Sequence, residues 1–319
     1  MRRPLGLALQ IAVSGGLVAY LLWLVDVDRT ASLIASSNPA YLVAALAIFL
    51  VTTWGMSWRW QLLLASKGIH EPLGWLTKLY FVSYAAGQVL PTTIGGDAVR
   101  IVEHARRRPT VKGETVAAVL MERAVGAAGT LLMVALGLAV VAGRFENLRL
   151  IVWVELAFAA VLALVAVLLF SRRTSRHLVG TVFPLGRRVR LERPLSSLYL
   201  AMHDYRSRPG VLGLVLLATL AVQLPRFGAI WLCGEAIGVE MSPLPYLLLG
   251  PLLFLVMMVP FTINGLGVRE AFFVAFLAQF DVSADAAFAT GVVFYVVTVL
   301  AALPGALILL WRSVRPALA

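Results

Sequence analysis

A chain built from apolar runs of about 20 residues has few folds open to it, because in lipid only helices and closed barrels satisfy their own backbone. Here the runs are interrupted twice by nearly the same sequence. Pro91-Thr-Thr-Ile-Gly-Gly-Asp-Ala-Val-Arg100 and Pro260-Phe-Thr-Ile-Asn-Gly-Leu-Gly-Val-Arg269 share six of ten positions at an offset of 169 residues. Each follows an apolar segment, 75–90 in one half and 244–260 in the other. Each sets Pro, Gly and Arg where a membrane helix would otherwise continue. A repeated break at corresponding places in two halves points to a transport site near the bilayer midplane.

The residues that remain read as six full spans, at 5–25, 40–65, 115–142, 149–170, 210–236 and 285–311. With 61% hydrophobic and 13% charged residues, the chain lies far from soluble composition. Leu5–Val25 has the length of a signal peptide but no convincing small-residue cleavage site, and it has a counterpart in the second half, so it counts as a span. The net charge of +11 suggests nucleic acid until it is located. Loops 1–4, 66–74, 103–114, 171–209 and 312–319 carry 18 Lys/Arg, whereas 26–39, 143–148 and 237–243 carry two. That asymmetry is the positive-inside pattern. It predicts a multi-pass membrane protein with both termini cytoplasmic and no nucleic-acid partner.

The same charges give the broken segments a direction. The first is flanked by cytoplasmic charge on both sides (Lys67 and Lys78, then Arg106, Arg107, Arg108 and Lys112). The second is flanked by Glu240, Asp281 and Asp285 on the opposite side. Both read as re-entrant hairpins with tips at Pro91–Asp97 and Pro260–Gly267. The expected fold is therefore an all-α polytopic membrane protein, six full spans plus two re-entrant hairpins in an inverted-topology repeat. Residues 1–143 form the first repeat and 149–319 the second. The loop from Gly68 to Leu76 resembles that from Gly238 to Leu247 with one residue inserted. Loop 171–209 breaks the symmetry: it holds nine Arg and no Lys, and reads as a basic segment leading into a short interfacial helix over Pro194–Tyr205. A plain topology anchor reads the same residues equally well.

Six basic residues fall inside the apolar segments: Arg59, Lys78, Arg100, Arg123, Arg226 and Arg269. A charge at the bilayer centre costs about 3 kcal/mol or more, so each needs a reason. Lys78 and Arg59 are close enough to span ends to snorkel; Arg226, after Pro225 in mid-span, is not. Arg100 and Arg269 close the two Gly-rich tips at matching positions. Gly95, Gly96, Gly265 and Gly267 would free φ and turn backbone N–H groups toward a ligand. An N–H-lined turn beside a guanidinium suits phosphate or carboxylate. Arg123 lies mid-span beside Glu122, and neighbours on a helix diverge, so their partners lie elsewhere; Asp97 suits Arg123. Thr92, Thr93, Thr262, Asn264 and Glu270 complete the candidate site. Arg–acid pairs that merely lock the hairpins to the bundle are the competing explanation, compatible with binding.

Cys233 is the single cysteine, and the four His are scattered without metal-ligand spacing. No catalytic constellation is visible, so no catalytic residue, metal or cofactor is expected, and a transporter is expected in place of an enzyme.

At Gly95-Gly96-Asp97…Arg100, Glu122-Arg123 and Gly265-x-Gly267-x-Arg269-Glu270 the chain resembles the lysylphosphatidylglycerol synthase transmembrane-region family, over essentially its whole length. That family is the flippase-like membrane part of bacterial multiple peptide resistance factors, with stand-alone relatives. The resemblance implies a lipid substrate moved between leaflets, for example an aminoacylated phosphatidylglycerol, and assigns these positions to its handling. Two departures stand out. The chain ends eight residues after Trp311, so the soluble aminoacyl-transferase domain, and with it lysyl transfer, is not expected. Many relatives carry an Arg in the last span where this chain has Phe294-Tyr295-Val296, which implies a different substrate.

The expectation is thus a lipid translocase for an anionic or aminoacylated phospholipid or a polyprenyl-phosphate-type lipid. Neutralising Arg100 or Arg269 should abolish transport and leave folding intact. A secondary transporter of a small soluble anion, and a scaffold recruiting a lipid-modifying enzyme through loop 171–209, remain open. So does a homo-oligomer.

Overall fold

In the long helices apolar residues cover every face, as they do where a helix is wrapped by lipid and by other helices. Their boundaries are set by caps and by Pro at the first turn. Asn38 accepts from the Ala40 N–H at 3.0 Å ahead of Pro39, and Gly238, at φ 86°, ends the helix that starts at Pro209.

The computed structural model describes residues 15–89, 95–141, 149–171, 192–258 and 265–314. The helices are α1 (Gly15–Leu24), α2 (Val27–Ala35), α3 (Pro39–Ala65), α4 (Leu73–Val89), α5 (Gly95–Arg107) and α6 (Lys112–Val141). There follow α7 (Arg149–Phe170), α8 (Glu192–His203), α9 (Pro209–Ile237), α10 (Tyr246–Met258), α11 (Val268–Leu277) and α12 (Ala284–Val314). No strand occurs among the described residues. Five helices, α3, α6, α7, α9 and α12, are long and apolar enough to cross a bilayer, and α1 and α10 are shorter apolar helices. Of the six spans expected, the one at 5–25 is described only from Gly15 onward. The apolar segments before the two breaks form α4 and α10, and shorter helices, α5 and α11, follow them. The Pro91 and Pro260 turns themselves lie outside the described residues.

Two segments depart from the loop assignment. Residues 26–39 hold α2, whose first turn is capped by Asp26 accepting from Arg29 N–H at 3.0 Å. It is pinned to the start of α12, where Asp285 accepts from Asp26 N–H at 2.9 Å and pairs with Arg29 at 3.7 Å. Residues 103–107 continue α5, with Arg106 and Arg107 in its last turn, where the helix dipole favours cations. The basic run at 187–193 lies almost wholly outside the described residues, but the short helix expected after it is present as α8. It docks by polar contacts onto the end of α7. Tyr199 donates to the Leu168 carbonyl at 2.6 Å, and His203 Nδ1 contacts the Leu169 carbonyl. Lys67, on the α3–α4 loop, ties down the turn after α8 through Asp204 at 2.6 Å, which holds that carboxyl below its usual range.

α3 packs along α9 at the centre of the bundle. The other contacts fall into pairs when α3, α4, α5 and α6 are exchanged for α9, α10, α11 and α12: α4 against α12 corresponds to α10 against α6, α3 against α12 to α9 against α6, and α4–α5 to α10–α11. Close approach makes the first of these pairs possible. A Cβ on Gly305 of α12 would fall on the Phe81 carbonyl of α4. A Cβ on Gly137 of α6 would sit 2.9 Å from the Leu247 carbonyl of α10. Helices in lipid gain little from apolar burial alone, so such small-residue contacts contribute much of the packing. Buried apolar residues form two clusters, one around Phe49, Phe273 and Phe294 and one around Trp60, Leu76 and Tyr205. Members of both clusters line the cavity described below.

Candidate functional site

α5 begins at Gly95 and lies so close on α4 that a Cβ on Gly96 would collide with the Ser83 carbonyl. That contact turns one face of α5 inward, carrying Asp97, Arg100 and His104 at helical spacing. Arg100 is buried, stacked 4.5 Å over the Tyr80 ring and 5.0 Å from that of Trp60. Its Nε donates to Asp97 Oδ1 at 2.9 Å and its Nη1 to Glu122 Oε2 at 2.8 Å. Glu122 also accepts from the Tyr80 hydroxyl, and Arg59 Nη2 lies 3.4 Å from its Oε1. Arg123, the next residue on α6, points elsewhere and donates to Asp97 Oδ2. Arg59, Glu122, Arg100, Asp97 and Arg123 therefore alternate in sign along one string, three cations on two anions.

The second break is built differently. Gly265 and Gly267 take φ values of 75° and 83°, which an L side chain rarely adopts. The turn they make is closed by Glu270, which accepts from Gly267 N–H at 2.8 Å in a capping arrangement. The same carboxylate accepts from Arg269 Nε at 2.9 Å. The Arg269 guanidinium lies 4.2 Å over the ring of Tyr295 on α12, at the place where the family resemblance implies an Arg. On α9, Arg226 donates from Nε to Thr52 Oγ1 of α3 at 2.9 Å and lies 5.2 Å from the Phe49 ring.

One cavity of about 420 Å³ joins these groups. Arg59, Arg100, Arg123, Arg226 and Arg269 all line it, with Asp97 and Glu122. Counting Glu270 behind Arg269, five guanidinium groups face three carboxylates, an excess of two positive charges. The rest of the wall is largely apolar, including Phe49, Met56, Val222 and Met257, and reaches the exposed side chain of Phe254. A partly apolar wall strengthens every electrostatic interaction inside it. The arrangement is suited to an anionic group attached to an apolar body.

Of the residues expected from sequence, Gly96, Asp97, Arg100, Glu122, Arg123 and Arg269 line this one cavity, although they come from three helices. Thr92, Thr93, Thr262 and Asn264 lie outside the described residues. Gly96, helical in α5, serves close packing, unlike Gly265 and Gly267, which take positive φ. Arg59 does not snorkel: it is buried on Glu122. Lys78 is exposed, as a snorkelling residue would be. Tyr80, Gln223 and Tyr295 were not singled out as members of the site, since a single polar tip on an apolar helix gives no periodic signal. Arg226 gave one signal, a charge in mid-span after Pro225.

A search of curated proteins finds no match to the chain. The model of the lysylphosphatidylglycerol synthase TM region family matches residues 7–305, which span both breaks and every charged residue of the cavity. The chain belongs to that family.

Proposed function

We propose that this protein is a translocase that carries an anionic or aminoacylated phospholipid, or a polyprenyl-phosphate-type lipid, between leaflets. The observation that carries the reading is the cavity with two surplus positive charges and apolar walls, set among helices that cross the membrane. Buried charge of one sign at such a place calls for a counter-charge, and a lipid headgroup supplies it while its chains stay among apolar residues. The paired helix contacts support two inverted repeats, with α4–α5 entering from the cytoplasm and α10–α11 from the other side. Rocking of one repeat against the other would then expose the cavity to each leaflet in turn. Membership of a lipid-associated family favours a lipid over a soluble anion.

The test uses the purified protein in vesicles with a fluorescent phosphatidylglycerol on one leaflet. The wild type should speed its transfer. Arg123→Gln, which removes a partly exposed guanidinium from the cavity, should slow it at least tenfold and keep the wild-type melting temperature. A folded Arg123→Gln variant at the wild-type rate would sink the model. Movement of a soluble anion without lipid transfer would replace it with a soluble-anion transporter.

A further inference from the structure

Among the described residues, three that line the cavity leave a buried polar atom unmatched: Arg59 Nε on α3, and two side chains one helical turn apart on α9. Among the described residues, Arg226 Nη2 is a buried donor with no hydrogen-bond partner and its guanidinium has no carboxylate within ion-pair distance. Gln223 Oε1 is a buried acceptor equally without a partner. The orientation of that amide is set by its neighbours. Gln223 Nε2 donates to Thr130 Oγ1 at 3.1 Å, and Thr130 in turn donates to the Gly126 carbonyl at 3.0 Å. Thr130 Oγ1 is therefore the acceptor in the first bond, and Gln223 keeps its carbonyl oxygen for something else. Both residues line the cavity, and an i, i+3 pair lies on one helix face. A buried polar atom left unpaired costs free energy, so native structures rarely hold one without a use.

We infer that Gln223 and Arg226 form a headgroup subsite that takes an anionic oxygen at Arg226 and a hydroxyl or ammonium donor at Gln223. This rests on the translocase reading and narrows its substrate: the lipid is one whose phosphodiester carries a hydrogen-bond donor on its headgroup, as glycerol, aminoacyl-glycerol and sugar headgroups do. A lipid of the same charge whose headgroup has no donor leaves Gln223 unsatisfied. Recognition of a donor by a buried acceptor discriminates more strongly than added apolar contact does.

Phosphatidylglycerol and phosphatidylmethanol carry the same charge, and only the first has hydrogen-bond donors on its headgroup, so they are the probes. Binding of each to the detergent-solubilised full chain, read by native mass spectrometry, should favour phosphatidylglycerol about tenfold, the scale of one buried hydrogen bond. Gln223→Leu should erase the preference and still bind phosphatidylmethanol at the wild-type level, which also shows that it is folded. Arg226→Gln should weaken both lipids. Equal binding of the two lipids by the wild type, or a preference that survives Gln223→Leu, overturns the subsite and leaves the translocase reading standing. Binding of neither lipid, with no transfer in vesicles, overturns both.

Discussion

Arg100 shows what a charge demands at the level of a single residue. It makes charge-assisted bonds to two acids and stacks on two rings, all of them buried except Asp97, which is partly exposed. Removing it takes one cation from Glu122, which keeps Arg59, and one from Asp97, which keeps Arg123; breaking a buried ion pair from one side costs up to about 3–5 kcal/mol. Arg100→Ala should therefore lower the melting temperature in detergent, in addition to any loss of transport, which departs from the sequence-based expectation of intact folding. Arg100→Met combined with Glu122→Leu should cost less than the two single variants added together, because each single change already breaks the pair. If the double variant loses as much as the two singles together, the two residues are not coupled through charge. This is why Arg123, whose side chain is partly exposed, makes the sharper functional probe. The identity of Arg100 was legible in the sequence as a charge beside a Gly-rich break. Its partner Tyr80 was not, since nothing in an apolar helix distinguishes the tyrosine that meets a carboxylate from one that faces lipid.

Among the helices, the decisive contacts are backbone approaches that only glycine permits. The α12–α4 contact at Gly305 and the α6–α10 contact at Gly137 join elements of one half to elements of the other. Gly305→Val should prevent α4 from seating. That would displace Tyr80, and with it the Glu122–Arg100 pair. The expected outcome is loss of monodisperse protein on size-exclusion chromatography, whereas Gly74→Val, where a Cβ meets nothing within 4 Å, should behave as wild type. A monodisperse, thermally stable Gly305→Val variant would show that α4 has another way to pack. The helices themselves were readable: α7 falls on 149–170, as its hydropathy predicts, and α3 and α9 fall within a residue of theirs. α2 was missed because its nine residues are too few for a span and too polar to read as one.

Across the whole molecule, the proposed inverted topology makes a prediction about sides. His70 on the α3–α4 loop and Asp281 between α11 and α12 are both exposed, and the two-repeat reading sends them to opposite faces of the membrane. In intact cells a membrane-impermeant thiol reagent should label Asp281→Cys and spare His70→Cys until the cells are opened. Cys233 is buried and should contribute no background. Labelling of both sites from outside would rule out the proposed arrangement.

What the sequence determined by itself was the solvent and the class of fold. Apolar runs of spanning length, two matched breaks and loop charge on one side leave a polytopic helical protein as the reading, and they mark which charges need explaining. Those are local properties of composition and spacing, so they survive without coordinates. What only the tertiary structure decided was which charges meet. Five arginines, from α3, α5, α6, α9 and α11, reach one cavity because helices pack through glycine at particular crossings. No sequence pattern records which face of one apolar helix meets which face of another. Among the described residues, the same packing leaves the Arg226 guanidinium without a carboxylate while Arg100 has two, and in a low-dielectric interior that difference decides where a further negative charge is most welcome.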